Sequence, residues 1–176
     1  MKKITRLAAI KSITESTLNL LTIEERESIL LNWWTLGEND TTYLNLSTRL
    51  QKLISNNDEP PKDITPPLAD ELILAGLKSS YTGVTNAYLT ERLVELGHKT
   101  YEIEGNIERL NPCPCCGYRT LLTISNYEIC DLCKWEDDGI TDPESYSHSN
   151  HMTLSDAKKE FCEKSKKMRL NKWIKS

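Results

Sequence analysis

Over the first hundred positions, apolar residues recur every three to four places, the period of a helix face turned towards a core. Residues 3–21 carry Ile4, Leu7, Ala8, Ile10, Ile13, Leu18 and Leu21 at that spacing, which predicts a first helix. Thr22 with Glu25 forms a capping box ahead of a second stripe, Ile29, Leu30, Trp33 and Trp34, and Gly37 closes that helix. Both tryptophans are expected in the core. A third helix is predicted from Asp40 or Thr41, carrying Tyr43, Leu44, Leu46, Leu50, Leu53 and Ile54. Four prolines within residues 55–67 cannot continue a helix and predict a loop. Helical spacing resumes from about Pro67 (Leu68, Leu72, Ile73, Leu77) until Gly83 breaks it, and a last N-terminal helix over 84–96 ends at Gly97.

The period then shortens. Residues 100–105 alternate like a strand, and 119–124 and 126–130 read as two strands of a hairpin turning at Ser125 and Asn126. Thr153 with Asp156 can cap a final helix over 154–170. The expected fold class is α+β: a mostly helical N-terminal part, a small zinc-ribbon-like β-hairpin module, and a terminal helix. The expected boundary separates a helical domain, 1–99, from a cysteine-rich domain, 100–176.

Charge and compartment narrow the picture. The chain has 176 residues and a formal net charge of −4, a balance that suits docking onto a basic partner better than binding duplex DNA. Arg6, Lys11 and Glu15 interrupt the apolar residues near the start, so no signal peptide is expected there. No apolar stretch is long enough to span a membrane. The expected location is the cytoplasm, where thiols stay reduced.

That compartment decides how the cysteines are read. Five of the six fall between Cys113 and Cys133. Cys113 with Cys116, and Cys130 with Cys133, make two C-x2-C pairs separated by 13 residues. A C-x2-C turn aims two thiolates at one ion, and a second such turn completes the tetrahedron that Zn2+ prefers. Gly117 follows the first pair, where the backbone often turns to positive φ. Iron in an S4 site is the alternative metal. Cys115 is expected beside the site, as a second-layer or surface thiol, and Cys162 as packing in the last helix. His148 and His151 form an H-x2-H pair but are not needed, since four thiolates saturate zinc. A segment of about 50 residues has too small a core to fold firmly alone, so the metal has a structural purpose.

Four thiolates leave no coordination position for a catalytic water, and no enzyme is expected. The zinc-deaminase signature is half present: Pro112-Cys113 through Cys116 fits P-C-x-x-C, but His98 is followed by Lys99 and Thr100 where H-x-E needs a glutamate. There is no H-E-x-x-H, glycine-rich phosphate loop or G-x-S-x-G. The run Glu136-Asp137-Asp138-Gly139 lacks calcium-loop spacing and reads as a solvated loop.

The CPCCG turn at 113–117, the Tyr127-Glu128-Ile129-Cys130 strand, the second doublet and Trp135-Glu136-Asp137-Asp138-Gly139 together resemble the bacterial cysteine-rich CPCC domain. Met152 to Ala157 resembles the helix start with which such domains end, and the likeness covers about residues 110–165. Asp131-Leu132 departs from the Pro or Val often found in the second doublet. The resemblance implies a zinc-bound module in small bacterial proteins, some of which look like immunity proteins encoded beside polymorphic toxins. A non-catalytic immunity protein that binds a cognate toxin is the leading expectation. Tyr127 and Trp135 would be anchors, and Glu136, Asp137 and Asp138 would face a basic partner. The alternative is a zinc-ribbon nucleic-acid-binding or regulatory protein, using the basic segment from Lys158 to Lys175.

Overall fold

The computed structural model describes residues 2–176 and is α+β. Its residues divide into two compact units. One comprises the chain up to Thr82 together with Arg92–Glu102, and the other Gly83–Glu91 with Ile103–Ser176.

The first unit is helical. A short strand, β1 (Lys2–Thr5), leads into α1 (Arg6–Leu18), whose N-cap hydroxyl on Thr5 accepts from the Ala8 amide. The strand lies inside the stretch expected to be helix. The second helix, α2 (Ile23–Trp34), begins with the expected capping box: Glu25 accepts from the Thr22 amide at 2.8 Å while Thr22 Oγ1 accepts from the Glu25 amide at 3.2 Å. The predicted third helix is two: α3 (Thr41–Leu44) and α4 (Thr48–Ser55). Ser47 caps the second piece, and Glu71 holds that cap by accepting from both its amide and its hydroxyl. A residue 24 positions away thus splits what local periodicity reads as continuous.

The central helix is α5 (Pro66–Ser79), which starts on two prolines and packs against α1 and α2. Gly76 lets Trp33 approach it: a Cβ there would sit 2.7 Å from the indole nitrogen. Trp34 is buried and its Nε1 donates to the Asn57 carbonyl at 2.8 Å. Leu30, Trp34, Tyr43, Leu50, Ile54, Leu72 and Ile73 form this core. The next helix, α6 (Asn86–Glu95), has Asn86–Glu91 in the second unit and the rest in the first, and Gly97 follows it at φ 81°.

The second unit is held by short antiparallel pairs. After β2 (Tyr101–Glu104), whose first two residues belong to the first unit, strand β3 (Asn111–Pro112) pairs with β4 (Arg119–Leu121), and β5 (Glu128–Ile129) pairs with β6 (Glu136–Asp137). A third pair, β7 (Tyr146–Ser147) with β8 (Met152–Thr153), leads into α7 (Leu154–Ser165), capped by Thr153 as expected. The hairpin expected between 119–124 and 126–130 does not form. Glu128 accepts from the Leu122 and Thr123 amides, both at 2.8 Å, and Asp137 accepts from the Ser125 amide at 2.7 Å. Carboxylates therefore satisfy donors that a strand partner would otherwise take, and the chain crosses from one hairpin to the other instead. The core of this unit contains the cysteines together with Tyr118, Leu121, Leu132, Trp135, Leu154, Ala157 and Trp173.

Candidate metal centre

Each hairpin carries one C-x2-C turn, and the two turns repeat each other bond for bond. In the first, the Gly117 amide donates to the Cys113 carbonyl and the Cys113 amide to the Tyr118 carbonyl, both at 2.9 Å. In the second, the Lys134 amide donates to the Cys130 carbonyl at 2.9 Å and the Cys130 amide to the Trp135 carbonyl at 2.8 Å. Gly117 has φ 75° and Lys134 has φ 66°, so both turns close through the left-handed region. Two pairs of corresponding positions share their burial: Cys115 with Leu132, and Tyr118 with Trp135, are all buried.

This duplication brings Cys113, Cys116, Cys130 and Cys133 together, with all four sulfurs within 4.8 Å of one another. Cys113 Sγ lies 3.6 Å from Cys133 Sγ, and Cys116 Sγ lies 3.7 Å from Cys130 Sγ. A tetrahedron with metal–sulfur bonds of about 2.3 Å has edges of about 3.8 Å, so these spacings are those of ligands around a common ion. Three of the four cysteines are buried and Cys133 is half-buried. The Cys133 amide points at Cys130 Sγ at 3.5 Å, and the Thr120 hydroxyl lies 3.0 Å from the same sulfur.

Electrostatics also favour a cation here. The Cys116 thiol is pushed far above its ordinary value, first by contact with Cys113 and then with Cys130 and Cys133, and burial adds to this. Cys130 is driven the opposite way, as acceptor from Cys113, Cys116 and Cys133. The Cys113 and Cys133 thiols are raised as well, so the four packed sulfurs perturb one another. A soft divalent ion accommodates four thiolates instead. The donor set fits Zn2+, and it can bind a metal ion.

Residues 111–169 match the family model described as cysteine-rich CPCC. That match supports the domain family for this segment, about a third of the chain. No curated protein and no solved structure matches the chain.

Around the CPCC cluster, the other expected site residues take different places. Cys115 is buried but lies outside the four-sulfur group, and Cys162 is exposed on α7, where packing was expected. His148 and His151 sit exposed in the β7–β8 turn and do not join the cluster. Tyr127 projects outward, 63% exposed, whereas Trp135 is 3% exposed and packs in the core. Asp137 is 4% exposed and engaged with the Ser125 amide, so the acidic run is not the solvated loop that its composition suggests. Asp138 accepts from Ser147 Oγ at 2.7 Å, and Asn150 clasps Glu136 through both backbone groups, each at 2.8 Å. These acids order the loop, and Trp135 and Asp137 offer little surface to a partner.

Ser147, Asn150 and Thr120 were not visible as site residues in the sequence, because their roles depend on side chains meeting across turns. In the sequence, the segment 171–176 shows only its basic charge. Instead it forms bridges from Trp173 to Val84 and from Lys175 to Tyr118, while the Ser176 amide donates to the Gly117 carbonyl at 2.9 Å. It buttresses the first cysteine turn.

No helix among the described residues is long and apolar enough to cross a membrane.

Proposed function

We propose that the cluster holds one structural Zn2+ and that the chain is a non-catalytic, cytoplasmic, protein-binding module: a bacterial immunity protein that binds and neutralises a cognate toxin. The observation that carries the binding role is the tip between β4 and β5. Leu122, Ile124, Tyr127 and Ile129, four large apolar side chains within eight residues, are each more than half exposed. Glu128 and Asp137 fix the backbone beneath them, so this is an ordered surface. Ordered exposed apolar groups favour a protein partner. Asp131 and the half-exposed Glu136 and Asp138 lie nearby in sequence and favour a basic one. The enclosed sulfur ligands favour a structural ion over a catalytic one.

The pairing of the lysines favours this reading over nucleic-acid binding. Lys159, Lys164 and Lys166 on and beside α7 each pair with an acid three or four residues away. Such pairs reduce the charge available to phosphates.

The test is a rescue assay. The product of the neighbouring upstream gene is expressed in a sensitive cell with and without this chain. Rescue with co-purification is expected. The Leu122→Ser, Ile124→Ser double variant should lose rescue while keeping its zinc. A harmless neighbour product, or rescue that survives the double variant, counts against the proposed surface and role.

A further inference from the structure

Cys115, the third thiol of the first turn, lies outside the four-sulfur group. Cys115 occupies the place that Leu132 fills in the second turn, so packing alone is met by leucine there. What distinguishes Cys115 is its neighbour. It lines a cleft of about 450 Å³ together with Cys133, and Cys133 is the one cluster cysteine that is not buried. The cleft has an apolar wall of Trp135, Met152 and Phe161, with Lys134 in its lining. A small neutral oxidant can enter it, and the lysine ammonium favours a departing hydroxide.

We propose that Cys133 and Cys115 form a peroxide-sensitive site, in which Cys133 is oxidised through the cleft and Cys115 resolves it as a disulfide that expels the metal. The inference rests on the metal-binding reading of the cluster.

The chemistry balances with hydrogen peroxide as the oxidant. The Cys133 sulfur attacks one peroxide oxygen, an S–O bond forms, the O–O bond breaks, and hydroxide leaves to become water on taking a proton. The sulfenic acid so formed is attacked by the Cys115 sulfur. An S–S bond forms, the S–O bond breaks, and the second water leaves with the Cys115 proton. Two cysteine sulfurs are oxidised, one peroxide is reduced, and the ion loses one of its four ligands. Cys115 and Cys133 belong to different turns, so the disulfide ties together the two turns that the ion had joined.

The zinc-loaded full chain is treated with graded hydrogen peroxide. Zinc release is followed with a chromogenic chelator, and disulfides are mapped by mass spectrometry of proteolytic fragments. The expected product is a Cys115–Cys133 disulfide appearing with zinc release, both reversed by a thiol reductant and fresh zinc. Cys115→Ala should bind zinc normally but release it about tenfold more slowly, through sulfenic and sulfinic products alone. Cys115→Ser serves as a second variant if alanine disturbs packing. Cys162→Ala, which removes the exposed thiol, should behave as the parent chain. Release at the parent rate from both Cys115 variants, or a disulfide joining a different pair, overturns the proposal. Absence of zinc in the purified chain would instead strike the metal reading, and disulfide mapping still decides whether Cys115 and Cys133 pair.

Discussion

The two cysteine turns share one hydrogen-bonding scheme but differ at the residue that closes it. The first closes on glycine and the second on Lys134, at nearly the same positive φ. They differ again in their surroundings. The first is buttressed by the backbone of 174–176, through the Arg119 and Ser176 amides, whereas the second carries Thr120 against its leading sulfur. One local geometry is thus reached by different means. The shared cysteine spacing fixes the form of both turns, and each is supported by different neighbours.

The largest expected effect removes what the turns have in common. Cys116→Ser or Cys130→Ser should abolish cooperative unfolding of the CPCC segment, because zinc supplies on the order of 10 kcal/mol to small modules of this kind. Near-ultraviolet circular dichroism reports it through Trp135 and Trp173, both buried in that core. A strong chelator should act likewise. Acid should weaken zinc retention: the metal-free cluster holds extra protons, with Cys116 raised, so lowering the pH favours the empty form. Retention of that signal by a metal-free Cys130→Ser chain would show that the hydrophobic core suffices without the ion.

Next comes the glycine. Gly117→Ala places a Cβ on a left-handed backbone, although nothing lies within 4 Å of it. With space available, the cost is conformational, about 1–2 kcal/mol. Thermal denaturation of the zinc-loaded chain measures it, and no change would mean that the first turn relaxes its φ freely.

Much of the centre was legible because its chemistry is local. Two C-x2-C pairs and the glycine after one of them specify a cluster whatever surrounds it. The caps at Thr22 and Thr153 were legible for the same reason: both partners lie within one helical turn. What was not legible depends on distant side chains. Glu71 divides the third predicted helix, and Glu128 with Asp137 dismantles a hairpin that alternation favours. Trp173 reads as the end of a basic tail until Val84 bridges to it. Composition likewise marked 136–138 as acidic surface, while a Ser147 and Asn150 network draws it inward.

The hydroxyl beside the second turn offers a finer probe. Thr120→Val keeps the shape and removes the group 3.0 Å from Cys130 Sγ. Groups that contact ligands in this way commonly contribute 10- to 100-fold to affinity, and about tenfold weaker zinc binding is expected. Competition with a chelating dye measures it. Unchanged affinity would assign Thr120 to packing alone.

The smallest effect carries the opposite sign and tests the comparison most directly. If both turns require positive φ, the second is strained by its lysine, and Lys134→Gly should stabilise the loaded chain. Relief of the left-handed penalty contributes about 1–2 kcal/mol, and the greater freedom of glycine in the unfolded chain offsets part of it, about 0.5–1 kcal/mol. A net gain of up to about 1.5 kcal/mol is therefore expected, read as a raised melting temperature at fixed zinc. The gain should appear equally in Gly117→Ala, Lys134→Gly, restoring part of what alanine costs, unless the turns share strain through the ion. Non-additivity would locate that coupling in the tetrahedron itself. A loss of stability in Lys134→Gly would mean that the lysine stem covers apolar surface beside Trp135 in the cleft that both residues line.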